Sequence, residues 1–416
     1  MIWQRLGWRN LHRNYKRTLI TTAGLSFSYF AVVLLVGWMS GITAELVENA
    51  TGLSGGQIEI HASDYRPDRS LYDTIGGRDG TDVSRLLRQV TDDPVVISAT
   101  PRVYAAGLIS SGDTTSAGML WGIDPNREPT VSRFLQNLES GHIPRPSHNE
   151  IAIGIEMARQ LNVTTGDELV IVAPGADGST GNDLFTVSGT FRTGLTQLDA
   201  TVGVFALEDL QVLVALNRAR IHEVAVAVTL PSFADETALR LASSTQADNP
   251  AIKIASWTEF SPQIEEYRAL VEGMHVILFG IVFFVAAFGV ANTMLMATHE
   301  RRREFAVMLA LGATPRTLIL TVLYEAFSVG LIAVVIGSTV TFPTMIWLHN
   351  APLDMSWLYE DMTFLGSLVT PTFRVEYDVG TWIQGGLGLL ITSVLAALYP
   401  AIRASRIPPA DTLSGL

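Results

Sequence analysis

The chain has 416 residues, a length that suits two or three ordinary domains, yet only 16% of them are charged. A mean hydropathy of +0.29 separates it from plain soluble proteins. The formal net charge of −12 argues against nucleic-acid binding, and the absence of cysteine excludes disulfides and thiol chemistry.

Residues 1–17 place Trp3, Leu6 and Asn10, and the series Trp8, Leu11 and Tyr15, at helical spacing with cations between them. The pattern predicts an amphipathic helix on the inner membrane surface. Apolar runs follow at residues 18–41, 274–297, 317–345 and 381–399. About 20 apolar residues cross a bilayer, so each run is a candidate span. The fourth is the weakest signal, being short and interrupted by Gln384, Gly385, Gly386 and Gly388. The first is too long for a signal peptide and has no clear small-x-small cleavage site, so it reads as a retained anchor.

Between the first two runs, residues 42–273 read as an α+β domain. Residues 57–62 alternate as a strand, 82–90 form a helix, and 95–110 and 115–123 form two strands. Strand 222–230, helix 234–244 and strand 251–256 complete a split βαβ pattern of ferredoxin-like type. Residues 124–220 interrupt it as an inserted β-rich subdomain, with short strands at 150–153, 167–173, 184–191 and 201–205 and helices at 156–161 and 207–216. Residues 175–183, all small or polar, read as an exposed loop, and 258–272 as a helix running into the second span.

Orientation follows from the placement of Lys and Arg. Arg5, Arg9, Arg13, Lys16 and Arg17 precede the first run; Arg301, Arg302, Arg303 and Arg316 lie in the 298–316 connection; Arg403 and Arg406 lie in the 400–416 tail. Residues 346–380 instead carry Asp354, Glu360, Asp361, Glu376 and Asp378. Residues 42–273 hold 16 basic and 31 acidic residues. Cytoplasmic termini and an outer 42–273 domain satisfy this asymmetry.

No enzyme site is evident. Only two lysines are present, Lys16 and Lys253, and neither follows a glycine-rich phosphate loop. His142 and His148 share a Pro-rich loop without the spacing of a metal motif. Glu325 lies about 15 Å along a helix from Pro315, inside the third run, where an acidic side chain is either functional or hydrogen-bonded to a neighbouring span. Gly330 and Gly337, and Gly380, Gly385 and Gly388, suit close span packing.

The strongest signal is residues 299–316. Glu300 and Glu304 flank three arginines, Phe305, Met308, Leu309 and Leu311 follow at helical spacing, and Gly312 can end the helix. Thr314 and Pro315 then suit the start of another. A membrane anchor accounts for the arginines but not for a compact helix–break–helix. The stretch Arg303-Glu-Phe-Ala-x₃-Ala310-Leu-Gly-Ala313 resembles the Arg-Glu-Ile-Gly-x₃-Ala-x-Gly-Ala signature of MacB/FtsX-type ABC transporter permeases, and Tyr399-Pro-Ala-Ile-Arg403-Ala resembles that family's C-terminal end. Phe305-Ala306 departs from the usual Ile-Gly. In layout the chain is most similar to lipoprotein-releasing (Lol) subunits.

The resemblance implies an α+β membrane protein with four transmembrane helices, the outer domain pairing a βαβ "porter" with an inserted β-rich subdomain. It implies a non-catalytic subunit of the bacterial inner membrane, with ATP and Mg bound by a separate cytoplasmic ATPase. Arg301, Arg302, Arg303, Glu304, Met308, Leu311, Gly312 and Ala313 would form the coupling helix that docks there. Phe27, Phe30, Met274 and Phe279 are candidates for an acyl-chain cavity, with lipid-facing packing as the equal alternative. The expected partners are a second permease copy or paralogue, membrane lipid, and a lipoprotein or periplasmic carrier. Activation of a cell-wall hydrolase and efflux of amphiphiles are the alternative functions.

Overall fold

The computed structural model describes residues 15–65, 70–77, 80–136, 138–245, 249–358, 362–364, 367–409 and 412. The amphipathic helix expected over residues 1–17 therefore falls, up to position 14, outside the described residues. Two compact units are formed.

One unit is built from described residues within Met1–Ala44, Arg268–Glu360 and Pro371–Leu416, the other from those within Glu45–Tyr267 and Asp361–Thr370. In chain order the main helices are α1 (Tyr15–Ala50), α2 (Val83–Thr91), α3 (Ile155–Leu161), α4 (Leu207–Leu213), α5 (Ala234–Thr245), α6 (Pro262–Glu300), α7 (Arg302–Ala310), α8 (Pro315–Asn350) and α9 (Val379–Ser405). The principal strands are β1 (Ile58–Ala62), β2 (Val96–Ser111), β3 (Thr114–Ile123), β4 (Leu138–Gly141), β5 (Glu150–Gly154), β6 (Glu168–Pro174), β7 (Thr180–Phe191), β8 (Val202–Ala206), β9 (Glu223–Val228) and β10 (Ile252–Ser256).

Helices α1, α6, α8 and α9 are each long and apolar enough to cross a membrane. They outrun the apolar sequence: α1 continues to Ala50 and α6 starts at Pro262, because nothing in either flank breaks a helix. Their shared core contains Tyr29, Val33, Val290, Ala326, Ala333 and Leu389. Gly337 permits this packing: a Cβ there would lie 2.8 Å from the Tyr29 ring. Tyr29 also receives a hydrogen bond from Ser338 at 3.4 Å, and Ser26 donates to the Ala333 carbonyl at 3.0 Å.

In the other unit the strand order β10-β1-β9-β2 is antiparallel throughout. Two βαβ halves, β1-α2-β2 and β9-α5-β10, interleave in this order, which is the ferredoxin-like arrangement. Asp82 caps α2, accepting from the Ser84 and Arg85 amides at 2.9 and 3.1 Å. The inserted strands continue the same sheet. β8 pairs parallel with β3, β5 and β7 follow it, and β6 pairs with both β2 and β7. The exposed loop expected at 175–183 is shorter: residues 180–183 begin β7 and pair with 171–174. Small polar residues are weak strand formers, and a partner strand overrides that local preference.

A buried polar knot lies where the insertion begins. Arg102 on β2 is fully buried, donating to Glu128 at 2.5 Å and to Glu223 at 3.4 Å. Burial alone would lower its pKa, but Glu128, Tyr104 and Glu223 hold the guanidinium well above its usual value. Tyr104 donates to Glu223 at 2.7 Å, and burial pushes its phenol well up. His222 accepts the Tyr104 amide at 3.0 Å on Nδ1, so its proton resides on Nε2, 3.1 Å from the Leu71 carbonyl. Burial pushes its pKa down.

Candidate functional site

The helix-bearing unit gathers most of its cations at one end, with Arg268 near the start of α6 and Arg374 before α9 as exceptions. Arg17, at the start of α1, donates to Glu300 at the end of α6 (2.8 Å). The next residues form α7, a nine-residue helix tied to the spans by its buried side. Phe305 and Ala306 are fully buried, and Phe305 packs with Leu318 and Val322 of α8 and Ala401 and Ala404 of α9. Met308 and Leu309 rest against the same cluster.

Arg301 turns inward rather than outward. Its Nη1 donates to Glu325 on α8 at 2.9 Å, its Nε to Glu304 at 3.2 Å, and its guanidinium lies 4.9 Å from the Phe305 ring centroid. The side chains of Arg301 and Glu325 are only 9% and 8% exposed. Glu325 is thus one half of an ion pair that fixes the base of α7 to the third span.

The far end of α7 closes with a Schellman motif. Gly312 has φ +93°, its amide bonds the Leu309 carbonyl (3.0 Å), and the Ala313 amide bonds the Met308 carbonyl (2.9 Å). Thr314 caps α8 by accepting from the Thr317 amide at 3.3 Å, with Pro315 in the first turn. This geometry leaves Arg302, Arg303, Glu304 and Val307 on the outer face and Leu311, 83% exposed, at the tip. Ala313 is half-buried.

The four expected cavity residues are not brought to one concavity. Phe27 and Met274 are exposed, Phe30 is half-buried 6.4 Å from Phe27, and Phe279 packs on Phe283 at 5.4 Å. His142 and His148 each hydrogen-bond a neighbouring carbonyl, of Ile143 and Pro146 respectively.

This pattern, four long apolar helices with a short anchored helix between the second and third, is accompanied by matches along most of the chain. Residues 18–248 match the MacB-like periplasmic core domain, and residues 276–409 match the FtsX-like permease C-terminal family. The chain belongs to this permease family. It is 25% identical over 406 residues to the lipoprotein-releasing system transmembrane protein LolC of Xylella fastidiosa, covering 93% of this chain and 94% of the relative. The LolC protein of Neisseria meningitidis is 22% identical, with 95% and 93% covered. The macrolide export ATP-binding/permease protein MacB 2 of Aeromonas hydrophila is 21% identical, and the match spans 96% of this permease but 58% of that relative. Among solved structures, the periplasmic region of MacB from Actinobacillus actinomycetemcomitans matches with a TM-score of 0.37 at 14% identity, covering 53% of this permease and 97% of that chain. The permease is thus a component of an ABC transporter and a multi-pass protein of the bacterial inner membrane, with an α+β domain between its first two spans.

Proposed function

We propose that this permease extracts lipoproteins from the outer leaflet of the inner membrane, driven by a separate ATPase subunit that docks on α7. The observation that carries the docking reading is the two-sidedness of α7. Leu311 and the Arg302–Glu304 face are exposed, while Phe305 and the Arg301–Glu325 pair lock the helix to α8. An exposed face on a base fixed to α8 suits docking, and a push on it passes into the third span. In this reading Arg301 positions the helix, and Arg302, Arg303, Glu304, Leu311, Gly312 and Ala313 meet the partner, which binds ATP and Mg.

The basic end of the spans then faces the cytoplasm with both termini, and the α+β unit lies in the periplasm. Phe27, Phe30, Met274 and Phe279 would contact acyl chains once a second permease copy or paralogue completes the cavity. A periplasmic carrier would receive the released lipoprotein. The likeness to LolC proteins over nearly the whole chain supports lipoprotein over other amphiphiles.

Two measurements test this. Glu304→Lys should weaken assembly with the ATPase and substrate-linked ATP hydrolysis; unchanged values for both would mean the docking helix is misplaced. Photo-crosslinking from positions 27, 30, 274 and 279 should capture lipoprotein. Crosslinks to a cell-wall hydrolase alone would replace transport with signal transduction.

A further inference from the structure

At the same basic end, α6, the first residue of α7 and α9 border an open cleft of about 610 Å³. From α6 it is lined by Leu295 and, one turn on, Thr298 and His299, with Arg302 beyond them at the start of α7. From α9 it is lined by Tyr399, Ile402 and Arg403 at the same spacing, with Arg406 beyond. Leu295 and Arg302, and likewise Tyr399 and Arg406, lie roughly 10 Å apart along the helix axis, and Ala404, Ile407 and Pro408 add apolar lining beside the α9 cations.

Arg17 and Arg301 are paired with Glu300 and with Glu304 and Glu325. Among the described residues, no carboxylate forms an ion pair with Arg302, Arg403 or Arg406, and all three are exposed. Three guanidiniums facing one concavity repel each other, a cost that an anion bound between them offsets. The apolar lining beside the cations makes a purely soluble anion a poor fit. It matches a molecule with a hydrocarbon body and an anionic head.

We propose that this cavity binds the phosphate head of an acidic phospholipid of the inner leaflet, with Arg403 and Arg406 on the phosphate and Tyr399 and Ile402 against the glycerol and upper acyl carbons. The site rests on the orientation proposed above, but not on the substrate or on the ATPase. Bound lipid would brace the end of α9 against the base of α7.

The test is native mass spectrometry of the full chain extracted from nanodiscs containing phosphatidylcholine with 30% phosphatidylglycerol. The wild type should retain phosphatidylglycerol in preference to phosphatidylcholine. Arg403→Gln/Arg406→Gln should reduce that preference by about 25-fold, taking roughly fivefold per cation near an anionic headgroup. Arg88→Gln/Arg218→Gln, the same charge change on exposed residues of the α+β unit, should leave it intact. Equal retention in both double variants overturns the proposal. So does displacement of the lipid by millimolar inorganic phosphate, which would make this a site for a free anion, or its loss whenever the ATPase subunit is bound, which would assign the cations to that subunit's carboxylates. If Arg403→Gln/Arg406→Gln does not fold, single Arg403→Gln and Arg406→Gln variants should each lose about fivefold. Thiol labelling of Arg406→Cys from the cytoplasmic side separates failure of the site from failure of the orientation.

Discussion

Replacing Arg301 by Met removes one half of the pair that seats α7 on α8. The Glu325 carboxylate would be left with a side chain only 8% exposed and without its 2.9 Å partner. Two charges about 4 Å apart attract by about 4 kcal/mol at an effective dielectric of about 20, and stranding one partner of a buried pair typically costs about 3–5 kcal/mol. Glu325→Leu should cost less, about 2 kcal/mol, because Arg301 retains Glu304 and the Phe305 ring, a contact of about 1 kcal/mol. Arg301→Met/Glu325→Leu should recover to within about 1 kcal/mol of the wild type, since an apolar pair of similar volume replaces a buried ion pair at little cost. The measurement is chemical unfolding of the full chain in mixed micelles, read as a double-mutant cycle. If the two single losses simply add in the double variant, the groups do not interact and the assignment of Glu325 as the anchor of α7 is wrong. If the recovered double variant also restores ATP-linked activity, the pair supports the helix and takes no further part in transmission.

Other consequences follow from single features. Gly312→Ala places a Cβ at φ +93° and should destabilise the α7–α8 turn by about 1 kcal/mol, visible as faster hydrogen exchange at the Ala313 amide. Leu311→Asp should leave thermal stability unchanged, because the side chain is 83% exposed, while weakening co-purification of the ATPase subunit by at least tenfold. His222 has its pKa pushed down by burial, so below about pH 6.5 the unfolded chain takes up a proton that the folded unit refuses. Stability should therefore fall as pH drops from 7 to 5, and His222→Gln should flatten that slope in urea unfolding curves. The chain has no cysteine, so single replacements Ser179→Cys and Arg406→Cys should label from opposite sides of the membrane with an impermeant maleimide; labelling of both from one side would refute the orientation.

Much of the architecture was legible from local chemistry. Four apolar runs separated by charge are sufficient to specify long helices, because in a membrane a helix satisfies its own backbone. Asp82, Gly312, Thr314 and Pro315 each act through adjacent backbone groups, and each marks a helix end where its chemistry predicts one. The two βαβ halves were also readable, since α2, α5 and their flanking strands announce themselves by periodicity.

What remained hidden depends on partners far apart in sequence. The parallel pairing of β3 with β8, which merges the inserted segment into the sheet, joins Met119 to Val202 and has no local signature. Residues 180–183 become strand only because 171–174 lie beside them. The helix–break–helix at residues 299–316 was visible as a candidate docking element, yet which of its arginines faces outward was not. Sequence spacing treats Arg301, Arg302 and Arg303 alike. Tertiary structure separates them: Glu325 and Phe305 draw Arg301 inward, the α9 end gathers Arg302 into a cationic cavity, and Arg303 is left exposed. Charge and periodicity are properties of a segment, whereas the direction in which a charge is satisfied depends on what the rest of the chain places beside it.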